Sequence, residues 1–425
     1  MSAKSRKTDS SGKSKRGGGK KNASGSGASE PASLFSSAEE ELRSVLAALA
    51  REREAEQEEF RSEWLELSLS RRRALGVTLF PLEFVEASGT LGERWKLRFR
   101  YNVDGAASKF GRGHRFQSGQ VVQMFRTGSD GETNQAENIS GVLAELRGDR
   151  LVLIADDAPD WLEDGRVGIN LAFNETTYRE MERALREILE NKNFASRRDR
   201  LLAYSPARRL AIPEAPADAT PNLNAAQARA VRGVAAMGAG DFAVIHGPPG
   251  TGKTTTVVAA ILGLLERGER VLVTAPTNAA VDLLAERLLE AIASPGVVGA
   301  GTAGATNPNE AGVSLKSRSK INLLRLGHPA RVGETVLRHT LEGRVDAHPD
   351  AKTTVRYRAE ADELYKKARK FRRNFGPAER AQRAAMLKEH GELRRLIRDM
   401  ERGIVKHIVD TADVIVTTLV GAASK

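Results

Sequence analysis

The stretch from residue 242 to 267, FAVIHGPPGTGKTTTVVAAILGLLER, restricts this chain more than any other. An apolar run at 242–245 meets Gly247-Pro248-Pro249-Gly250-Thr251-Gly252-Lys253-Thr254-Thr255, and Val257, Val258, Ile261, Leu264 and Leu265 then recur at helical spacing. The pattern predicts a strand, a glycine loop and a helix. Such a loop lets the backbone N–H groups of Gly250, Thr251 and Gly252 turn inward around a phosphate, with the positive end of the helix dipole behind them. Lys253 then reaches the β- and γ-phosphates of a nucleotide, and the Thr254 hydroxyl can hold Mg²⁺. A bare string of this kind could be a surface turn; its setting between a strand and a helix favours phosphate binding.

The formal charge of +11 favours an acidic partner, and it is unevenly placed over the 425 residues. Residues 1–33 contribute +6 and residues 316–408 contribute +12, leaving −7 for the remainder. The first segment is Lys, Ser and Gly with no aliphatic residue larger than Ala after Met1, so it cannot bury enough to order itself and reads as a disordered basic tail. Its Lys4-Ser-Arg-Lys7 and Lys13-Ser-Lys-Arg16 clusters suit nuclear import or nucleic-acid contact, and equally a solubilising tail. With no cysteine, there is neither a disulfide framework nor a cysteine-zinc site. No apolar run is long enough for a membrane span, and no secretory or organelle leader is expected.

Residues 34–75 read as a stalk helix: Ser37 and Glu40 form a capping box, and Leu42, Val45, Leu46 and Leu49 follow at helical spacing. From 76 to 173 the period changes to short extended runs, near 77–85, 95–101, 121–125, 139–146, 151–154 and 167–173, which predict a small antiparallel β-barrel. Thr177 and Glu180 are expected to cap a second stalk helix within 174–202, whose Met181, Leu185, Ile188 and Leu189 form a packing stripe. A Pro/Ala linker at 203–222 leads to an α/β body at 223–342, in which 271–275 is a second strand and 293–320 a loop without structure. Residues 343–408 read as a basic helical-hairpin insertion broken at Gly376-Pro377, with Arg372, Arg373, Arg394 and Arg395 among its candidate strand-binding charges. Residues 409–425 return to the body, 414–416 being its third buried strand.

Which phosphate-loop machine this is depends on the flanks. Leu223-Asn224-Ala-Ala-Gln227 precedes the loop, and Gln227 has the amide chemistry to read both a donor and an acceptor on adenine. Val273-Thr-Ala-Pro276-Thr277-Asn278-Ala-Ala-Val-Asp282, Arg325-Leu-Gly-His328-Pro-Ala-Arg331 and Ala412-Asp-Val-Ile-Val-Thr417-Thr418 follow. This set resembles superfamily 1 helicases that move 5′-to-3′ on single strands, in the family of the nonsense-mediated-decay helicase, and within it the immunoglobulin-mu-binding branch. The resemblance spans roughly residues 40 to 425. It implies a RecA-like parallel sheet behind the phosphate loop, with the barrel and the helical hairpin as accessory domains touching RNA or DNA. It also implies ATP and Mg²⁺ as ligands, with Gln227 and Gly247, Pro248, Pro249, Gly250, Thr251, Gly252, Lys253, Thr254 and Thr255 around the nucleotide and Lys253 and Thr254 as the catalytic pair. Pro276, Thr277, Asn278, Thr417 and Thr418 would contact single-stranded RNA or DNA. The implied whole is a monomeric motor, cytoplasmic or nuclear and without a membrane partner. His328 is assigned no chemistry. A ring-forming ATPase shares the loop but not the Leu223–Gln227 and Ala275–Asp282 stretches, and a nucleic-acid-binding module without turnover stays open.

One departure bears on activity. The family's next motif, an apolar strand ending in Asp-Glu, does not occur; the only Asp-Glu pair, Asp362-Glu363, sits in a charged helical pattern and reads as a surface pair. The second motor domain and its arginine fingers are likewise not in these 425 residues, so the sheet is expected to be incomplete and the chain to act as the N-terminal part of the motor. An arginine finger alone is worth about 10³–10⁵ in rate. The 425-residue protein is therefore expected to show no strand-stimulated ATPase and to be prone to aggregation through an uncovered sheet edge. RNA- or DNA-stimulated hydrolysis by the purified chain, lost in Lys253→Ala, would contradict that expectation.

Overall fold

Alternation decides the N-terminal half. Along Trp95–Tyr101 every second side chain (Trp95, Leu97, Phe99, Tyr101) is buried while Arg98 and Arg100 face water, so the strand has one core face. In the computed structural model, residues 35–101, 114–128, 138–164, 166–205, 211–212, 214, 223–293, 321–369 and 376–423 are described. The basic tail, the 294–320 segment, most of the linker, and Arg372 and Arg373 lie outside them.

Helix α1 (Ala38–Phe60) starts at Ser37, whose side chain accepts from the Glu40 N–H. Only half of the expected capping box forms, because the Glu40 carboxylate turns to the backbone and hydroxyl of Ser36 instead. A π-helical turn at Arg61–Leu65 and a short α2 (Leu69–Ala74) lead into the barrel. Its strands are β1 (Thr78–Gly89), β2 (Trp95–Tyr101), β3 (Val121–Arg126), β4 (Ile139–Arg147), β5 (Arg150–Ala155) and β6 (Val167–Leu171), one in each of the six runs. They close antiparallel in the order β1-β2-β5-β4-β3-β6. The long β1 pairs with β6 at one end and β2 at the other, bending through register shifts that closure requires.

Helix α3 (Glu175–Glu190) begins at Asn174, so Thr177 and Glu180 lie within its first turns and are not its cap. Thr177 instead takes a hydrogen bond from Asn174 Nδ2 at 3.3 Å. The helix lies along α1, where Arg53 and Glu182 pair at 2.9 Å, and α4 (Ala195–Leu201) follows.

The α/β body is built from α5 (Ala225–Ala235), α6 (Lys253–Glu266), β7 (Val271–Ala275), α7 (Asn278–Ala293), β8 (Leu323–Arg325), α8 (Leu341–Asp346), α9 (Ala351–Arg369), α10 (Pro377–Thr411), β9 (Val414–Thr418) and α11 (Leu419–Ala423). Its sheet is parallel, in the order β7-β9-β8. The composition of that sheet corrects the sequence expectation. Residues 242–245 form no strand: they find no ladder partner among the described residues, and Phe242 and Val244 are left 46% and 81% exposed. The third strand is β8, which at three residues is too short to show a period.

Helices cover one face of the sheet along all three strands and the other face over β8 and β9, while Leu272 on the β7 part of that second face is left 60% exposed. Val273, Val414, Val416 and Leu323 pack with α6 and α7, while Leu324 and Ile415 pack with Ile404 and Ile408 of α10 and Val345 of α8. The helical hairpin is therefore not a separate insertion ending at residue 408: α10 runs unbroken from the hairpin into the core of the body.

The hairpin also clamps the barrel. Asp362 accepts from the Gly89 N–H at 3.0 Å, Tyr365 donates to the Ala158 carbonyl at 2.7 Å, and Glu401 accepts from Gly92 N–H while pairing with Arg358 at 2.7 Å. Asp362 is thus a half-buried joint, not part of a surface pair. Arg394 stacks on Trp95 at 4.9 Å, so one of the arginines read as strand-binding is engaged with the barrel.

A second joint is the turn at Pro329–Arg331. Arg331 Nε donates to the Gly119 carbonyl of the barrel at 2.6 Å, and His328 Nδ1 accepts from the Ala330 N–H at 3.2 Å. Burial, and then the charges of Arg94 and Arg331, push the His328 imidazole down to about 4. It is neutral when folded and titrates near 6.5 when unfolded, so the unfolded chain binds the extra proton between those values. Stability from this residue is complete above about pH 6.5 and falls as pH drops toward 4, by about 2 kcal/mol at pH 5. Urea titrations at pH 7 and pH 5 should show His328→Gln losing less stability across that interval than the parent; identical losses would remove His328 as the cause.

Candidate nucleotide and strand site

The loop from Gly247 to Gly252 turns on two glycines with positive φ, Gly250 at 78° and Gly252 at 80°. L side chains rarely adopt that conformation. Helix α6 starts at once after Gly252 with no side-chain cap, so the N–H groups of its first turn are left for an outside acceptor. Ala259, Ala260, Leu262 and Leu265 are buried and anchor α6, which holds that positive terminus at the surface.

Lys253 Nζ lies 2.7 Å from both the Gly247 and Pro248 carbonyls, and Thr251 Oγ1 donates to Pro248 O at 2.9 Å. The ammonium is thereby drawn across the loop, in reach of an anion entering it. Lys253, Thr254 and Thr255 are exposed, as are Pro248, Pro249, Gly250 and Thr251. This donor set fits a polyphosphate: uncapped helix N–H groups, one cation and two hydroxyls. For a hard cation the chain offers the Thr254 hydroxyl, and no group of three or more acidic or histidine ligands occurs among the described residues.

Gln227 is brought to the loop but is occupied. Its Oε1 accepts from Asn224 N–H at 2.9 Å in a capping box that opens α5, and its Nε2 donates to the Thr251 carbonyl at 3.1 Å. In this arrangement it ties α5 to the phosphate loop.

Of the strand-contacting set, Pro276 and Thr277 are exposed at the carboxyl end of β7. Thr277 Oγ1 accepts from the Ala280 N–H at 3.2 Å and so caps α7. Thr417 differs: it is 0% exposed, and its buried Oγ1 has no hydrogen-bond partner among the described residues, so its side chain does not face a strand here. Thr418 is half-buried and accepts from the Gly421 N–H at 3.1 Å.

Two residues given no role by the sequence reading complete the site. Arg325, at the end of β8, is fully buried; its Nε donates to Asp282 Oδ1 at 2.8 Å and its Nη2 to Asn278 Oδ1 at 3.0 Å. Asp282 Oδ2 accepts in turn from the Gly333 N–H at 2.9 Å. The acceptor end of the Asn278 amide is thus committed, and what Asn278 can offer a partner is its Nδ2 donor. A charged residue directly after Leu323-Leu324, with an acid one helical turn after Asn278, was the available signal.

Residues 222–425 match the family model described as "AAA domain". DNA-binding protein SMUBP-2 of Rattus norvegicus is 29% identical over 386 residues, covering 88% of this chain and 34% of that protein. DNA polymerase alpha-associated DNA helicase A of Saccharomyces cerevisiae is 27% identical over 314 residues, 71% of this chain and 40% of that one. ATP-dependent helicase upf1 of Schizosaccharomyces pombe is 33% identical over 133 residues, 28% and 14% respectively. The chain thus spans about a third of the length of the first of these.

Gly252→Ala places a Cβ 2.4 Å from Gln227 Nε2 at a positive φ, whereas Gly240, at the same φ of 80°, has nothing within 4 Å. Gly240→Ala should cost about 1 kcal/mol of stability from backbone strain alone. Gly252→Ala should cost about 2–3 kcal/mol, because the Gln227–Thr251 bond is lost as well. Equal costs in urea denaturation would show that Gln227 does not brace the loop.

Proposed function

We propose that this chain is the nucleotide-binding part of an ATP-dependent RNA/DNA helicase. It would bind ATP with Mg²⁺ at Gly247–Thr255 and a single strand at Pro276, Thr277 and Asn278. The observation that carries the reading is the uncapped start of α6 behind Lys253, a positive terminus with a cation beside it. In this reading Gly250, Thr251 and Gly252 surround the phosphates, Lys253 neutralises them and Thr254 holds Mg²⁺, while Gln227 leaves its bond to Thr251 to read adenine. Bound there, a Mg²⁺–triphosphate would supply the β–γ anhydride bond whose hydrolysis, in the whole protein, powers movement.

Exchange of Gln227 and Lys253 from loop carbonyls to ligand would make nucleotide entry reorganise the loop. On the strand side, Asn278 Nδ2 donates to the nucleic-acid backbone, fixed by Arg325. Such contacts to phosphate and sugar read no sequence. The helical hairpin adds long-range attraction, so affinity for single strands should fall steeply with salt. This reading takes the whole protein to act as a monomeric motor on single-stranded RNA or DNA in the cytoplasm or nucleus. No helix among the described residues is long and apolar enough to cross a membrane.

Lys253→Ala should abolish binding of a fluorescent ATP analogue with Mg²⁺ while leaving the thermal transition within a few degrees of the parent. Equal affinity in variant and parent would remove the loop as the nucleotide site.

A further inference from the structure

A cleft of about 780 Å³ opens between the stalk, the barrel and the strand-contacting turn, and nothing in the nucleotide reading uses it. Helix α1 does not simply end there. Its last turn widens into the π-helical turn Arg61–Leu65, closed by the Glu66 N–H to the Arg61 carbonyl at 3.1 Å. Turns of this kind shift side chains out of α-helical register and recur at functional sites. Here the shift sets the Phe60 and Trp64 rings 4.9 Å apart and tilted by 59°.

Across the cleft, where the barrel meets α3, Phe173 lies 6.3 Å from Phe60 and stacks on Tyr178 at 5.8 Å. Phe60, Trp64 and Phe173 are only partly buried and line the opening, which distinguishes them from the sealed aromatic core of the barrel. The opposite rim is Asn278 and Arg331. An aromatic wall facing an amide donor and a guanidinium is the combination that single-stranded nucleic acid requires: a π-face for a base, and donors for the backbone.

We propose that this cleft receives an unstacked base of the single strand, against Trp64, Phe60 and Phe173, while the adjoining backbone lies on Asn278 and Arg331. The inference rests on the strand-binding reading above and adds a base-stacking subsite built by the stalk and barrel. It makes the stalk part of the strand site, since α1 supplies Phe60 and its π-helical turn supplies Trp64. Recognition through a ring face is tolerant of sequence, so the subsite would count bases without reading them.

The test uses the full chain and two labelled 20-nucleotide probes, oligothymidine and an abasic strand of equal length, with binding followed by fluorescence anisotropy. Oligothymidine should bind more tightly than the abasic strand. Trp64→Ala and, separately, Phe173→Ala should weaken oligothymidine binding about tenfold while leaving abasic binding unchanged. Because Trp64 also packs against the barrel core, the unmodified protein provides a second readout. Photo-cross-linking with 4-thiothymidine should label the peptides carrying Phe60–Trp64 or Phe173–Tyr178. Equal affinity for the two probes, with cross-links confined to Thr277 and Asn278, overturns the subsite and leaves the strand-binding reading standing. Failure to bind either probe overturns both.

Discussion

A guanidinium with no access to water must find a counter-charge, and Arg325 finds Asp282. That one pair draws the end of β8 and the nearby backbone at Gly333 onto the first turns of α7, which lie far from both in sequence. Through Asn278 it fixes the turn proposed to meet nucleic acid, and the neighbouring Arg331 ties the same region to the barrel carbonyl of Gly119. A buried ion pair is not chosen for stability, since apolar residues of equal volume commonly do as well. Its value here is geometric. Asn278 is aimed by a partner that has no alternative position.

The phosphate loop and the strand turn belong to consecutive units of one body. Helix α6 leads into β7, β7 ends at the Pro276–Asn278 turn, and β9 pairs alongside so that Thr418 lies beside Ala275. Ligands of open parallel sheets sit at such carboxyl ends. The barrel is positioned over this edge by two independent joints, the α9–α10 clamp and the Arg331 contact, and the aromatic cleft forms where stalk, barrel and turn converge.

Much of this was legible because it depends on local pattern. The six barrel strands announce themselves as short extended runs punctuated by Gly and Asp, with clean alternation in β2, and the helices α6, α7, α9 and α10 by apolar spacing. The glycine loop is read from residue types that only a close backbone approach requires. What was not legible depends on pairing over distance. Residues 242–245 have the composition of a strand, but a strand exists only through its ladder. Leu323–Arg325 lacks that composition and becomes one because β9 offers an edge. Arg394 and Asp362 look solvated in a charged helix, yet Trp95 and the Gly89 N–H engage them. The π-helical turn leaves no local mark, and the Arg325–Asp282 pair leaves only a charge directly after two leucines and an acid one helical turn after Asn278, neither of which says that the two meet. For Thr417 the motif suggested contact, and the strand's inward face buried it.

Arg325 and Asp282 act as one unit that holds the strand turn in place. A double-mutant cycle over Arg325→Met and Asp282→Leu, read by urea denaturation, tests it most directly. Each single change should leave a buried charge unpaired and cost about 3–5 kcal/mol, while the double variant should recover most of that loss. Costs that simply add would contradict the account, because the two residues would then contribute independently and Asn278 would owe its position to something else.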